Sequence, residues 1–489
     1  MKKYLLFIVF LISNIISLGE DSNIESIFME EVRNENEVKN ELNIIQSIKI
    51  QTLDPIKMRD QYSERAVKLI YDTLFNIEDG KVVPYLVKDY KWKDERTLFI
   101  ELKEGVLFHN GEELSSTDVK FTFERFSEKG ALKDTFEEIR NIKIIDSKKL
   151  IMKLEEEDTM FLEKLTYVSG SIVKKTKKGI TGSGRFYPIV FNNGQVVLKR
   201  YFKYFKGKSI VKKIRFTHEI NDKKKMTSLF DEGSDVAFDV SENAYNEARE
   251  EGIIPDDVLV RKNNLMESAV IRFGNKNKDI YTRKNRKLIE KIINREEISK
   301  LVTGTKDNMA ETYFPKSLFK ASLSKTENNF NKKLIKSEIK KSNIKNEINL
   351  MILNNMLDMA KIIKEQFKLY GIKVNILPHN IDSYSMKIKN GDYDVALYNM
   401  VYKDDYILLN IRNILLNDIK DIDLYNAIDP FLKIAMEEKD KSKRDKIFDK
   451  IVQLIYKELS YIPIIHEKLL VVGYNRLDKI YDIDKKVDR

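Results

Sequence analysis

Gly105-Val106-Leu107-Phe108-His109-Asn110-Gly111, followed closely by Ser115-Ser116-Thr117-Asp118-Val119, is the stretch that decides the fold class. Its first half predicts a tight turn, because Asn-Gly tolerates the positive backbone φ that such turns require. In the second half Ser115 and Asp118 stand three apart, just ahead of Val119, Phe121 and Phe123. That spacing predicts an N-cap, where side-chain oxygens satisfy the orphaned N–H groups of a new helix. Upstream, Tyr62, Ala66, Val67, Ile70, Tyr71 and Leu74 recur at helical spacing. By contrast, Ile48-x-Ile50, the segment around Trp92 and Thr97 to Leu102 read as strands, with stops at Leu53-Asp54-Pro55 and Asp94-Glu95-Arg96. Strands and helices therefore mix in irregular order. The chain is α/β without the regular β-α repeat of a doubly wound sheet.

The 489 residues are enough for two to four domains at about 100–200 residues each. Apolar residues make up 42% and charged residues 34%, which allows real cores and argues against a multi-span membrane protein. The net charge of +10 is scattered along the chain, so it predicts no nucleic-acid surface. The absence of cysteine excludes disulfides, thiolate metal sites, a Cys nucleophile and a lipid anchor on cysteine. At the N-terminus Lys2 and Lys3 precede an apolar run from Tyr4 to Ile12, and Ser17-Leu18-Gly19 offers small residues for cleavage. Residues 1–19 thus read as a cleaved signal peptide, since a membrane span needs about 20 apolar residues. The Glu- and Asn-rich segment 20–41 reads as a flexible tether. The expected location is the periplasm.

A search for catalytic chemistry finds little. There is no Gly-x-Ser-x-Gly elbow. Gly179 and Gly184 have the glycine spacing of a phosphate loop, but Arg185-Phe186 stands where Lys-Ser/Thr would bind phosphate and Mg²⁺. The acidic run Glu155 to Asp158 reads as a solvated loop. Lys174, Lys175, Lys177, Lys178 and the triplet Lys223 to Lys225 read as solvated faces. His109, His218, His379 and His466 are widely separated, so spacing yields no metal motif. His109 reads as structural. The expectation is a protein that is not an enzyme, with no catalytic residue, cofactor or metal.

A resemblance runs along the chain in ordered blocks. Leu53-Asp54-Pro55, Tyr71-Asp72-Thr73-Leu74, Pro84-Tyr85-Leu86, the Gly105 to Gly111 turn and Thr117-Asp118-Val119 begin it. Gly182-Ser183-Gly184-Arg185-Phe186, a helix from Arg286 to Ile298, and Gly391-Asp392-Tyr393-Asp394-Val395-Ala396 continue it. Asp440 to Arg444 and Ile462-Pro463-Ile464 close it. In that order these blocks resemble the family 5 extracellular solute-binding proteins, the peptide- and nickel-binding components of ABC importers.

The resemblance implies a two-lobed periplasmic binding protein, a type II-like clamp with an extra subdomain and a hinge between mixed-sheet lobes. Residues 42–53, 181–270 and 468–489 would form lobe I, with 54–180 as its inserted subdomain, and 271–467 would form lobe II. The hinge strands would lie near Met266–Ile271 and His466–Val471. In peptide binders of the family an aspartate after the Gly-x-Tyr-Asp strand pairs with the ligand's α-amino group, which points here to Asp404 or Asp405. The usual tryptophan of that segment is missing, and Lys403 stands beside the acids. Arg185, Arg272 and His466 complete the candidate ligand-binding set. The implied function is capture of a peptide and its delivery to ABC transporter permease subunits, by a monomer. Alternatives are a binder of a nickel chelate or another small anionic solute, and a secreted binding or sensing module without a transporter.

Overall fold

Two long strands organise the molecule, Val258–Phe273 and Tyr461–Tyr474. In the computed structural model, which describes residues 41–474 apart from 129–135, 316–331, 404–421 and a few shorter stretches, they pair antiparallel from Val258↔Tyr474 to Arg272↔Tyr461. They lie side by side within a ten-stranded mixed sheet. From edge to edge its strands are Phe186–Asn192, Gln195–Arg200, Lys213–His218, Glu41–Gln46, Val236–Val240, Tyr461–Tyr474, Val258–Phe273, Val395–Lys403, Glu347–Leu353 and Lys373–His379. A separate four-stranded antiparallel sheet is built from Val87–Asp94, Thr97–Leu102, Lys149–Leu154 and Ile139–Ile144.

The apolar pattern of the two long strands explains their reach. At one end Val270, Ile271, Phe273, Tyr461, Ile462 and Ile464 enter a large core built from residues 269–465. At the other end Leu470 and Val472 enter a small core with Met226, Leu229, Ala237 and Val240, against which Val258 and Val260 also pack. A fully buried aliphatic side chain contributes roughly 1.5–3 kcal/mol, so each end is held firmly in its own core. Between the ends the strands turn polar, at Glu267, Ser268, His466 and Glu467. The four-stranded sheet has its own core, with Leu98, Ile100, Leu150 and Met152 facing Phe123 and Phe126 of the helix Ser116–Glu128.

Local expectations are met with shifts. The Ser115 N–H and hydroxyl both donate to Asp118, at 2.9 and 2.6 Å, at the start of Ser116–Glu128. Gly105 and Gly111 take φ of +73° and +86° in the turn. The helix Gln61–Ile70 stops at Tyr71, and Leu74 is buried beyond it. The first strand is Glu41–Gln46, ahead of the Ile48-x-Ile50 alternation. The helix expected from Arg286 to Ile298 is two helices, Arg283–Ile292 and Arg295–Thr303, because Asn294 caps the second one. Two surface readings are corrected. Asp158 is buried and holds the buried Lys164 at 2.6 Å, and Lys225 is fully buried rather than solvated.

Close backbone approach requires glycine at the end of the first long strand. A Cβ on Gly274 would lie 1.9 Å from the carbonyl oxygen of Tyr393, beside the Gly274 N–H bond to Asp394 O. Gly274→Ala should therefore prise the strands apart and cost about 1–3 kcal/mol, read as a lower denaturant midpoint. An unchanged midpoint would refute this packing.

Candidate functional site

The register of the two long strands sets Glu267 directly opposite Glu467, and Ser268 directly opposite His466. Opposed residues of an antiparallel pair project to one face, and successive residues alternate faces. The changeover between the cores therefore carries two acids on one face and a Ser–His pair on the other.

On the Ser–His face, His466 Nε2 lies 2.9 Å from the carbonyl oxygen of Thr312, which can only accept. Nε2 must then carry the proton, and Nδ1 accepts from the Ser268 hydroxyl at 2.5 Å. Burial, chiefly, lowers the imidazole pKa to about 4, so the ring is neutral at physiological pH. With the His466 N–H donating to Asn308 O and the Ala310 N–H to Ile464 O, this pair pins segment 308–312 to the second strand.

The acid face draws on many elements. The helix Gln61–Ile70 brings Tyr62 and Arg65, the helix Asp222–Phe230 brings Asp222 and Lys225, and the helix Glu242–Glu250 brings Glu242. The strand Val236–Val240 adds Asp239, and Val395–Lys403 adds Asn399. Asp239 adopts φ of +60°, a left-handed conformation within a strand, at a register shift between Ala237 and Val240. Such backbone persists only where its surroundings hold it. Arg65 grips the Asp239 carboxylate with both terminal nitrogens, one at 2.7 Å, and also donates to Gln46 Oε1 at 3.2 Å. Its guanidinium lies 4.6 Å from the Phe238 ring centroid. Lys225 Nζ donates to the Asp239 carbonyl at 2.6 Å, the Phe238 carbonyl at 3.2 Å and Ser47 Oγ at 2.7 Å, and pairs with Asp222 at 2.8 Å. Asp222 in turn accepts the Ser241 N–H and hydroxyl, at 3.0 and 2.8 Å.

Both described cations are thus committed to neighbours, and the two strand acids are not neutralised by them. Burial, then the nearby Asp239, pushes Glu267 up to about 7, with an Asn399 hydrogen bond opposing. Burial, then Glu267 and Asp222, pushes Glu467 up to about 8, with the Glu242 N–H opposing. Glu467 Oε1 is sealed from solvent without a hydrogen-bond partner among the described residues, and so is Asn399 Oδ1.

The candidates expected from sequence are dispersed. Arg185 is buried with its guanidinium 4.5 Å from the Tyr204 ring centroid, beside a network in which Tyr204 and Ser183 donate to Asp72. Arg272 is buried on the first long strand, 5.4 Å from the Tyr398 ring centroid. His466 lies at the changeover, but both its nitrogens are engaged within the chain. Asp404 and Asp405 lie outside the described residues. His109 donates through Nε2 to Gly184 O at 2.8 Å and packs on Tyr201, a structural role. Sequence reading missed Arg65, Asp239, Lys225, Glu267 and Glu467. A usable signal existed for the last: His466-Glu467-Lys468 interrupts two apolar runs. Among the described residues no group of three or more acids or histidines could hold a metal ion, and no helix is long and apolar enough to cross a membrane.

A family model described as "Bacterial extracellular solute-binding proteins, family 5 Middle" matches residues 81–409. The chain is 28% identical over 172 residues to an uncharacterized protein, YhjP, of Bacillus subtilis, covering 34% of this chain and 30% of that one. It is 24% identical over 235 residues to the nickel-binding protein NikA of Staphylococcus aureus, covering 47% of each. The chain thus spans less than half the length of these curated relatives. Among solved structures, the dipeptide-binding protein of Pseudoalteromonas in complex with Met-Leu superposes with a TM-score of 0.78 at 16% identity, over 89% of this chain and 96% of that one.

Two tests address the site itself. Removing either partner of the buried Arg65–Asp239 pair leaves an uncompensated charge, so Arg65→Ala or Asp239→Ala should cost about 3–5 kcal/mol by denaturant titration. For the strand acids, a folded-state pKa above the unfolded value means stability that is complete below about 4.5 and is lost as pH rises through about 7 and 8. The melting temperature of the wild type should fall across that range, and Glu267→Gln and Glu467→Gln should each flatten the decline. A wild-type profile no steeper than that of the double variant would contradict the assignment.

Proposed function

The chain belongs to the bacterial extracellular solute-binding proteins, family 5, and from that membership we propose that it captures a peptide or similar small solute and hands it to the permease of an ABC importer. The observation that carries the reading is the double service of the long strands. Each enters two cores and places a polar cluster, Glu267 and Ser268 against His466 and Glu467, between them. Packed cores resist deformation, so a motion of one against the other concentrates in the strands that join them. Residues 42–53, 181–270 and 468–489, with 54–180 inserted, act as one lobe and 271–467 as the other. The hinge lies at 266–271 and 466–471. Ligand sites favour such interfaces between packed units. The protein works as an exported monomer and leaves its ligand chemically intact, acting by binding and release.

A second reading is capture of a nickel chelate, favoured by the similarity to the nickel-binding protein of Staphylococcus aureus. In this case the chelate would bring its own nitrogen ligands, because His466 spends both of its nitrogens on Ser268 and Thr312.

Mass spectrometry of solute released from the natively purified protein separates the two readings. The mature protein should also compact when the recovered solute is added back, with a smaller radius of gyration by small-angle scattering and a melting temperature that climbs with ligand concentration. Tight binding with an unchanged scattering curve would defeat the clamp, and steady conversion of the solute to product would defeat a pure binding role.

A further inference from the structure

The acid face of the long strands holds more negative charge than its described cations balance. Around Glu267 and Glu467 stand Asp222, Asp239 and Glu242 on one side, and Arg65 and Lys225 on the other, with Tyr62 and Asn399 as neutral neighbours. Arg65 is spent on Asp239, and Lys225 on Asp222 and two carbonyls. Two acceptor atoms at this place, Glu467 Oε1 and Asn399 Oδ1, are shut off from water and meet no donor among the described residues. Buried polar atoms left without a partner cost about 1–3 kcal/mol each, so such a pair marks a place where a donor is missing.

We propose that Glu267 and Glu467 form a cation-recognition point on the crossing strands, and that the captured solute bears a protonated amine that sits between them. The proposal rests on the solute-capture reading and narrows its ligand class. An ammonium group carries three N–H donors and a positive charge, which suits the two facing carboxylates and the Asn399 oxygen together. The point is built from strand residues rather than from the acids at 404 and 405, and it draws on the side of the molecule that carries Tyr62 and Asp239 as well as on the strands themselves. With no cation present, burial first, and then the charge of neighbouring acids (Asp239 for Glu267, Glu267 and Asp222 for Glu467), favours the protonated carboxyls. An arriving ammonium favours their ionised forms, so its binding releases protons and strengthens as pH rises through about 7 and 8.

The test uses four probes with the full mature chain: trilysine, fully acetylated trilysine, trialanine and the nickel–histidine chelate, each followed by calorimetry and thermal shift. Trilysine should bind at least about tenfold more tightly than its acetylated form, with proton release and an affinity that rises from pH 6 to 8.5. Glu267→Gln and Glu467→Gln should each weaken trilysine by about tenfold or more and flatten the rise with pH, and the double variant should remove it. Their melting temperatures at pH 8, no lower than that of the wild type, show that the variants are folded. Trilysine binding by the variants within a factor of about two of wild type would overturn the proposal. So would a wild type that takes fully acetylated trilysine or the chelate in preference to trilysine, although solute capture would then stand. A melting temperature that none of the four probes moves would overturn both.

Discussion

Two strands serve two cores at once, and the rest of the molecule is arranged around that constraint. Val258–Phe273 and Tyr461–Tyr474 are bound to each other along most of their length, so neither can shift its register alone. A slip of one residue would turn each inward apolar side chain outward. It would also separate Glu267 from Glu467 and Ser268 from His466. The same register that packs Ile464 into one core and Val472 into the other therefore positions the polar groups between them. Structure and site share one determinant.

The polar centre is not a stabilising device in the ordinary sense. Buried ion pairs seldom outdo well-packed apolar side chains of similar volume, and here Arg65, Asp239, Lys225 and Asp222 occupy ground that could have been apolar. They fix the left-handed Asp239 and the carbonyls of the register shift beside it. That kink shifts the register of Val236–Val240 against the second long strand, which it meets again at Val240↔Leu470, and the shift accommodates Asp239. Raised carboxyls at Glu267 and Glu467 carry a further cost to folding at neutral and higher pH. Groups that lower stability at a junction of packed units are what a binding site requires, because a ligand can restore what folding gives up.

Much of the fold was legible from local chemistry. The reciprocal bonds of Ser115 and Asp118 and the positive-φ glycines 105 and 111 each depend on residues a few positions apart. The ordered blocks from Leu53 to Ile464 resemble one family for the same reason, since turns and caps leave marks at fixed short spacing. The readings failed where burial is decided by how the chain folds back on itself. Lys223 to Lys225 look alike in sequence, yet only Lys225 meets the carbonyls of Phe238 and Asp239 and is fully buried. Asp158 looks like the end of a solvated run until Lys164 folds back on it.

The sequence by itself determined the α/β class and the resemblance to solute-binding proteins, because apolar periodicity, capping and glycine chemistry act within a turn or a strand; the crossing strands were legible only through that resemblance. It did not reveal the acid face. Arg65 and Asp239 are 174 residues apart, and Glu267 and Glu467 stand on strands far apart in the chain. Only antiparallel pairing in one register makes the two glutamates neighbours, and only chain brought in from elsewhere sets Asp222, Asp239 and Glu242 around them. Charge at a site depends on what surrounds it in space, and the tertiary structure alone decides those surroundings.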